Sequence, residues 1–203
     1  MAAYLWDLDG TLLDSYGIII ESTVRVAEEL GVPDEPGDIL RTVKGTSLTA
    51  YLKDLAGRTG DSAERLMERY RYYTHAMDDR IPLMDGAPDA LERLQAAGHE
   101  HYVYTHRGSS SGPILERLGI LDYFREVVTS VYGFPPKPSG EGIRYLVQKY
   151  RLDPEQTLYV GDRPIDVLCA KDAGVRAILL LPEDACVIPT GQEDRIIRSL
   201  REL

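Results

Sequence analysis

The chain has 203 residues, 43% hydrophobic and 28% charged, which is the balance of a globular protein and excludes a disordered or collagen-like one. With 33 acidic against 23 basic residues its formal charge is −10, which disfavours a broad interface with nucleic acid or an anionic membrane. The length predicts one domain, or one domain carrying an insertion. Cys169 and Cys186 are too few for a disulfide framework and lack metal-ligand spacing, so both are expected as buried thiols in a reducing cytosol. Asp7 arrives before any apolar run could form a signal peptide, and no segment approaches the ~18 apolar residues of a membrane span. The expectation is a cytoplasmic protein.

Taken in chain order, a first strand at residues 4–6 leads into Asp7-Leu8-Asp9-Gly10-Thr11-Leu12-Leu13-Asp14-Ser15. The next stretch, 15–84, is far longer than a strand-to-helix connection requires, so something is inserted there. Its own pattern is helical, over 16–30 to Gly31, 47–56 to Gly57, and 62–77 with Leu66, Met67, Tyr70 and Tyr73 on one face. Tyr70, Tyr72 and Tyr73 are expected to pack within this bundle rather than to form an aromatic binding face. Asp85-Gly86-Ala87-Pro88 marks the re-entry to the main domain. Beyond it, strands at 101–104, 126–129, 158–160 and 177–181 alternate with helices at 113–118, 141–150 and 165–173, the last closed by Gly174. This alternation predicts an α/β fold with a doubly wound parallel sheet, formed by residues 1–14 and 85–203 and interrupted by the helical insert 15–84.

Four segments carry candidate chemistry. If the chain stays extended after the first strand, alternation sends Asp7 and Asp9 to one side, and Gly10 turns the backbone away; an ordinary Asp-Gly turn is the simpler alternative. Thr105, in Thr105-His106-Arg107-Gly108, brings a hydroxyl and backbone N–H groups to a point where a helix is about to start; it could equally be a helix cap. Lys137 stands in the stiff frame Pro135-Pro136-Lys137-Pro138, where a solvated charge is the alternative. Gly161-Asp162-Arg163-Pro164-Ile165-Asp166 places two carboxylates four residues apart, as an acidic first helical turn also would. Each segment lies just past the C-terminal end of a predicted parallel strand, the edge where open α/β sheets bind ligands. Asp7, Asp9, Asp162 and Asp166 converging there would repel one another unless a cation joined them, and all-oxygen ligation suits Mg²⁺ together with a substrate phosphate.

In this order, Asp7-x-Asp9-Gly10-Thr11, Thr105, Lys137 and Gly161-Asp162-x-x-x-Asp166 resemble the four signature motifs of the haloacid dehalogenase superfamily, over the whole chain. The insert is similar to the helical cap of the phosphoglycolate phosphatase and β-phosphoglucomutase branches. The resemblance implies a Rossmann-like sheet of order 5-4-1-2-3 and a helical cap at 15–84. It makes Asp7 the nucleophile that forms an aspartyl-phosphate, and Asp9 the general acid and then base. Thr105 and Lys137 would hold the transferring phosphoryl group, with Thr11, His106 and Arg107 counted among the substrate-binding residues. Mg²⁺ would be ligated by the Asp7 carboxylate, the Asp9 backbone carbonyl and Asp162, with Asp166 in or just outside its shell.

The presence of Asp9 argues for phosphoryl transfer over dehalogenation. Val43-Lys44-Gly45-Thr46-Ser47-Leu48 is similar to a mutase stretch whose arginine holds a second phosphate, but Leu48 offers no donor. The favoured reading is therefore a phosphatase acting on a small phosphorylated metabolite, with the mutase as alternative and a receiver-type signalling domain as a non-enzymatic one. Lys44 and Arg41 are further substrate-binding candidates, or solvated helix-end charges.

Overall fold

Strand β1 (Ala3–Trp6) buries Leu5 and Trp6 completely, as a central strand covered on both faces must. It opens a computed structural model that describes residues 2–183 and 185–203. The chain divides into two compact units, one of residues Met1–Asp14 and Pro82–Leu203, the other of Ser15–Ile81. That division falls before the expected boundary at Met84, because residues 82–84 are tied to the first unit. There Asp14 N–H donates to Pro82 O at 3.0 Å and Met84 N–H to Leu12 O at 2.9 Å.

The second unit contains helices α1 (Tyr16–Glu29), α2 (Pro36–Gly45), α3 (Leu48–Thr59) and α4 (Ala63–His75) around a core of its own, in which Val26, Ala27, Ile39, Leu55 and Leu66 are fully buried. Helix α2 was not expected. It opens on Pro36, and proline is well tolerated in the first helical turn, where its missing N–H has no helical partner to lose. Helix α3 is capped by the Ser47 hydroxyl, which accepts the Ala50 N–H at 3.0 Å. It runs through Gly57 and ends at Gly60, whose φ of +75° supplies the left-handed closing residue. Tyr70 is buried and Tyr73 packs at the edge of the core, but Tyr72 is 73% exposed and stands outside it.

The first unit continues through α5 (Ala87–Ala96), β2 (Glu100–Tyr104), α6 (Ser111–Arg117), β3 (Phe124–Val128), α7 (Glu141–Tyr150), β4 (Thr157–Gly161), α8 (Pro164–Ala173), β5 (Arg176–Leu180) and β6 (Arg195–Ile197). Among the described residues these six strands form one parallel sheet, in the order β3-β2-β1-β4-β5-β6. This is the implied five-strand order with β6 added at the β5 edge. Leu5, Tyr102, Ile143, Leu146 and Leu179 lie in its core. The register pairs Trp6 with both Val103 and Val160, so β1, β2 and β4 end within one residue of one another at the point where strand order reverses. Cys169 is buried as expected, but Cys186 is exposed, in the irregular segment between β5 and β6. Among the described residues no helix is long and apolar enough to cross a membrane.

Candidate active site

Asp7 is the first residue beyond β1, and its N–H extends the ladder by donating to Val160 O at 2.9 Å. The chain then turns at once: the N–H groups of Thr11, Leu12 and Leu13 all reach Leu8 O, at 3.1, 3.0 and 2.9 Å. Gly10, at φ +80°, permits this where a side chain would be strained. The Asp9 charge acts on the Asp7 carboxyl, and each of the two carboxylates meets a cation. Asp7 is buried against Lys137 Nζ at 3.0 Å, while Asp9 pairs with Arg107.

Lys137 joins the centre. Its fully buried ammonium lies 2.7 Å from Asp166 Oδ1 and 3.0 Å from Asp7 Oδ1, with the rings of Tyr104 and Tyr159 flanking it at 5.5 and 5.1 Å. Burial alone would strip its proton, but Asp166 and Asp7 outweigh that cost and hold it above its ordinary value. Burial pushes the Asp7 carboxyl up, against the pull of Lys137. Burial acts on Asp166 as well, but Lys137 stands closer to it, and with Arg163 holds this carboxyl below the usual range. Asp166 also accepts the Arg163 N–H at 3.1 Å, fixing the first turn of α8.

Asp7, Asp162 and Asp166, all buried, can each present one oxygen within 4.8 Å of the others. The Asp9 carboxylate is not one of these three, but it lies close enough for its charge to act on Asp7. Arg163, read in sequence only as a spacer, belongs to the centre: its guanidinium lies 3.8, 4.0 and 3.9 Å from Asp7, Asp162 and Asp166. A cation directly after Asp162 was the signal available for it.

The remaining candidates are placed differently. Thr105 is buried and its hydroxyl accepts the Arg107 N–H at 3.1 Å, closing the turn after β2. His106 braces the lysine segment, since its Nε2 accepts the Lys137 N–H at 2.7 Å. A ring nitrogen used as acceptor carries no proton, and desolvation with the nearby Lys137 and Arg163 charges pushes His106 down to about 3. Thr11 is fully buried, and its hydroxyl has no hydrogen-bond partner among the described residues. In the second unit, Arg41 pairs with Asp38 one turn earlier on α2, Lys44 lies 4.3 Å from the centre of the Tyr16 ring, and Leu48 packs against that unit's core.

Residues 4–180 match the family of haloacid dehalogenase-like hydrolases. A phosphoglycolate phosphatase of Vibrio parahaemolyticus is 28% identical over 83% of this chain and 78% of its own. An N-acetylmuramic acid 6-phosphate phosphatase of Pseudomonas aeruginosa is 29% identical over 91% of this chain and 85% of its own. Among solved structures, a hydrolase from Streptococcus pneumoniae TIGR4 is 31% identical and superposes with a TM-score of 0.62, covering 87% of this chain and 90% of that one. A hydrolase family leaves no place for the receiver-type reading. With its parallel sheet, its motifs in order and a match over most of its length, the chain belongs to the haloacid dehalogenase-like hydrolases.

Proposed function

We propose that the protein is a Mg²⁺-dependent phosphatase of small phosphomonoesters that works through an aspartyl-phosphate on Asp7. The observation that carries this reading is the buried trio Asp7, Asp162 and Asp166 with Lys137 between two of its members. Asp7 Oδ2 is buried and accepts no hydrogen bond among the described residues, which fits a hard cation beside it. Mg²⁺ would be held by Asp7, Asp162 and the Asp9 carbonyl, with Asp166 in support; when bound, it would offset the negative charge that otherwise repels a phosphate dianion.

In the first step an Asp7 oxygen attacks phosphorus, the bond from phosphorus to the ester oxygen breaks, and that oxygen takes its proton from Asp9. In the second, Asp9 takes a proton from water, whose oxygen attacks phosphorus and breaks the bond to Asp7. Inorganic phosphate leaves and Asp7 is restored. Lys137 stays protonated throughout and faces the charge that develops beside Asp7. The curated relatives named above are phosphatases, and Leu48 provides no donor for a second phosphate, so hydrolysis is favoured over a mutase reaction.

The test is phosphate release over a panel of phosphorylated metabolites that includes phosphoglycolate and sugar phosphates. Many turnovers per chain are expected with Mg²⁺, none after chelation, and a loss of ~10⁴-fold or more in Asp7→Asn. Turnover by Asp7→Asn at a tenth of the original rate would remove Asp7 as nucleophile.

A further inference from the structure

The proposed proton donor is held by a residue from elsewhere in the sequence. Arg107 Nη2 donates to Asp9 Oδ1 at 2.8 Å, and its Nε lies 3.0 and 3.3 Å from Oδ1 and Oδ2. The Arg107 side chain is 6% exposed, whereas Asp9 keeps 22% of its own open. Arg107 is itself fixed at several points. Its Nη1 donates to Ser110 Oγ at 3.3 Å, its N–H to Thr105 Oγ1 at 3.1 Å, and its carbonyl accepts the Ser130 N–H at 3.2 Å.

We infer that Arg107 is a positioning residue that acts through Asp9, rather than a residue that binds substrate directly. A planar guanidinium meeting a carboxylate through two nitrogens fixes the plane of that carboxylate, which a single ammonium cannot do. Asp9 needs such a guide, because it sits in the tight turn at Gly10 and its proton must travel to the leaving oxygen and, in the next step, come from water. Three nitrogens of Arg107 already face Asp9 and Ser110, and the side chain is almost wholly covered. The open part of the pair is the Asp9 carboxylate. The inference rests on the proposed phosphatase reaction, in which Asp9 is the acid and base.

A double-mutant cycle with Asp9→Asn and Arg107→Gln, measured as kcat and KM, separates the possibilities, with Arg107→Lys as the conservative variant and circular dichroism to check folding. Asp9→Asn should lower kcat by ~10² to 10⁴-fold. Arg107→Gln should lower kcat by ~10²-fold, the scale of a small misplacement of a reacting group, with KM changed less than about threefold. Arg107→Lys, which keeps the charge but loses the fork, should recover only part of that loss. In the Asp9→Asn background, Arg107→Gln should cost nothing further, because the group it positions has gone.

Should Arg107→Gln instead raise KM, and weaken inhibition by inorganic phosphate, by the same factor in both backgrounds, Arg107 binds substrate and the inference is overturned. Full kcat in Arg107→Lys would overturn it too, by showing that charge alone suffices. An Asp9→Asn protein with undiminished kcat removes the acid–base role of Asp9 and the inference with it. A protein that releases no phosphate from any ester, with both residues intact, fails the function itself.

Discussion

At the scale of single residues, the centre shows how a charge survives burial: Lys137 keeps its proton because two carboxylates stand within 3.0 Å of it. His101 shows the opposite outcome. It is buried in β2, its Nδ1 accepts the Trp6 indole N–H at 3.1 Å, and among the described residues no carboxylate is paired with it, so desolvation pushes it down to about 4. The folded protein therefore resists protonation that the unfolded chain accepts below its ordinary value near 6.5. Stability from this residue is complete above that value and is lost as pH falls towards 4, by about 2 kcal/mol at pH 5. Urea unfolding of the parent and of His101→Phe at pH 7.5 and pH 5 checks this. The parent should lose more stability than the variant over that interval, and equal losses would show that His101 does not titrate on unfolding. Nothing in the sequence distinguished His101 from any other strand residue, because its neutral state depends on Trp6 reaching it from an adjacent strand.

Among the elements, the junction of β4 and α8 binds fold to chemistry most tightly. A Cβ on Gly161 would fall 2.4 Å from Asp166 Cβ and 2.5 Å from its Cγ. Asp166 cannot retreat without giving up Lys137 and the Arg163 N–H. Gly161→Ala should therefore destabilise the fold by about 1–3 kcal/mol, as overpacking does, and reduce phosphate release by displacing Asp166. A variant with unchanged urea midpoint and turnover would mean that the junction is looser than these distances indicate. The five strands were legible in sequence to within a residue or two, since short apolar runs between helical periods have few other readings. Helix α5 carries its signal in Ala87, Ala90, Leu91 and Leu94, and Gly86 and Pro88, in the segment expected as a re-entry link, are the helix's own start signals. Strand β6 has three residues, too short for any period to appear, and its place is set by pairing with β5. The motif positions were readable because parallel strands ending within a residue of one another deliver the residues just past their ends to one edge. The pairing of Asp9 with Arg107 was not, since no spacing in the sequence says which side chain from the turn after β2 reaches Asp9.

For the whole molecule, what matters is that Ser15–Ile81 holds a hydrophobic core drawn entirely from its own residues, while the core around Leu5, Tyr102 and Leu179 is drawn from the segments on either side. A unit with its own buried core can be inserted without interrupting the other if its entry and exit lie together, because closing the gap then costs little chain entropy. That condition is met. Asp14 N–H donates to Pro82 O at 3.0 Å, and Leu13 bridges Leu83 in antiparallel fashion, so the two crossings run side by side as in the arms of a hairpin. Replacing residues 15–81 by a turn of about two to five residues should therefore leave the sheet unit able to fold. The residues proposed for chemistry, from Asp7 to Asp166, all remain in it, while Arg41, Lys44 and Leu48 leave with the insert. The expected protein unfolds cooperatively in urea and hydrolyses a small aryl phosphate such as p-nitrophenyl phosphate. If the insert selects the leaving group, as its resemblance to a helical cap implies, the shortened protein should also lose most of the parent's preference among phosphorylated metabolites. A shortened chain without a cooperative transition would show that the sheet unit depends on the insert to fold. One that folds and keeps the parent's ranking of substrates would place selectivity in the sheet unit instead.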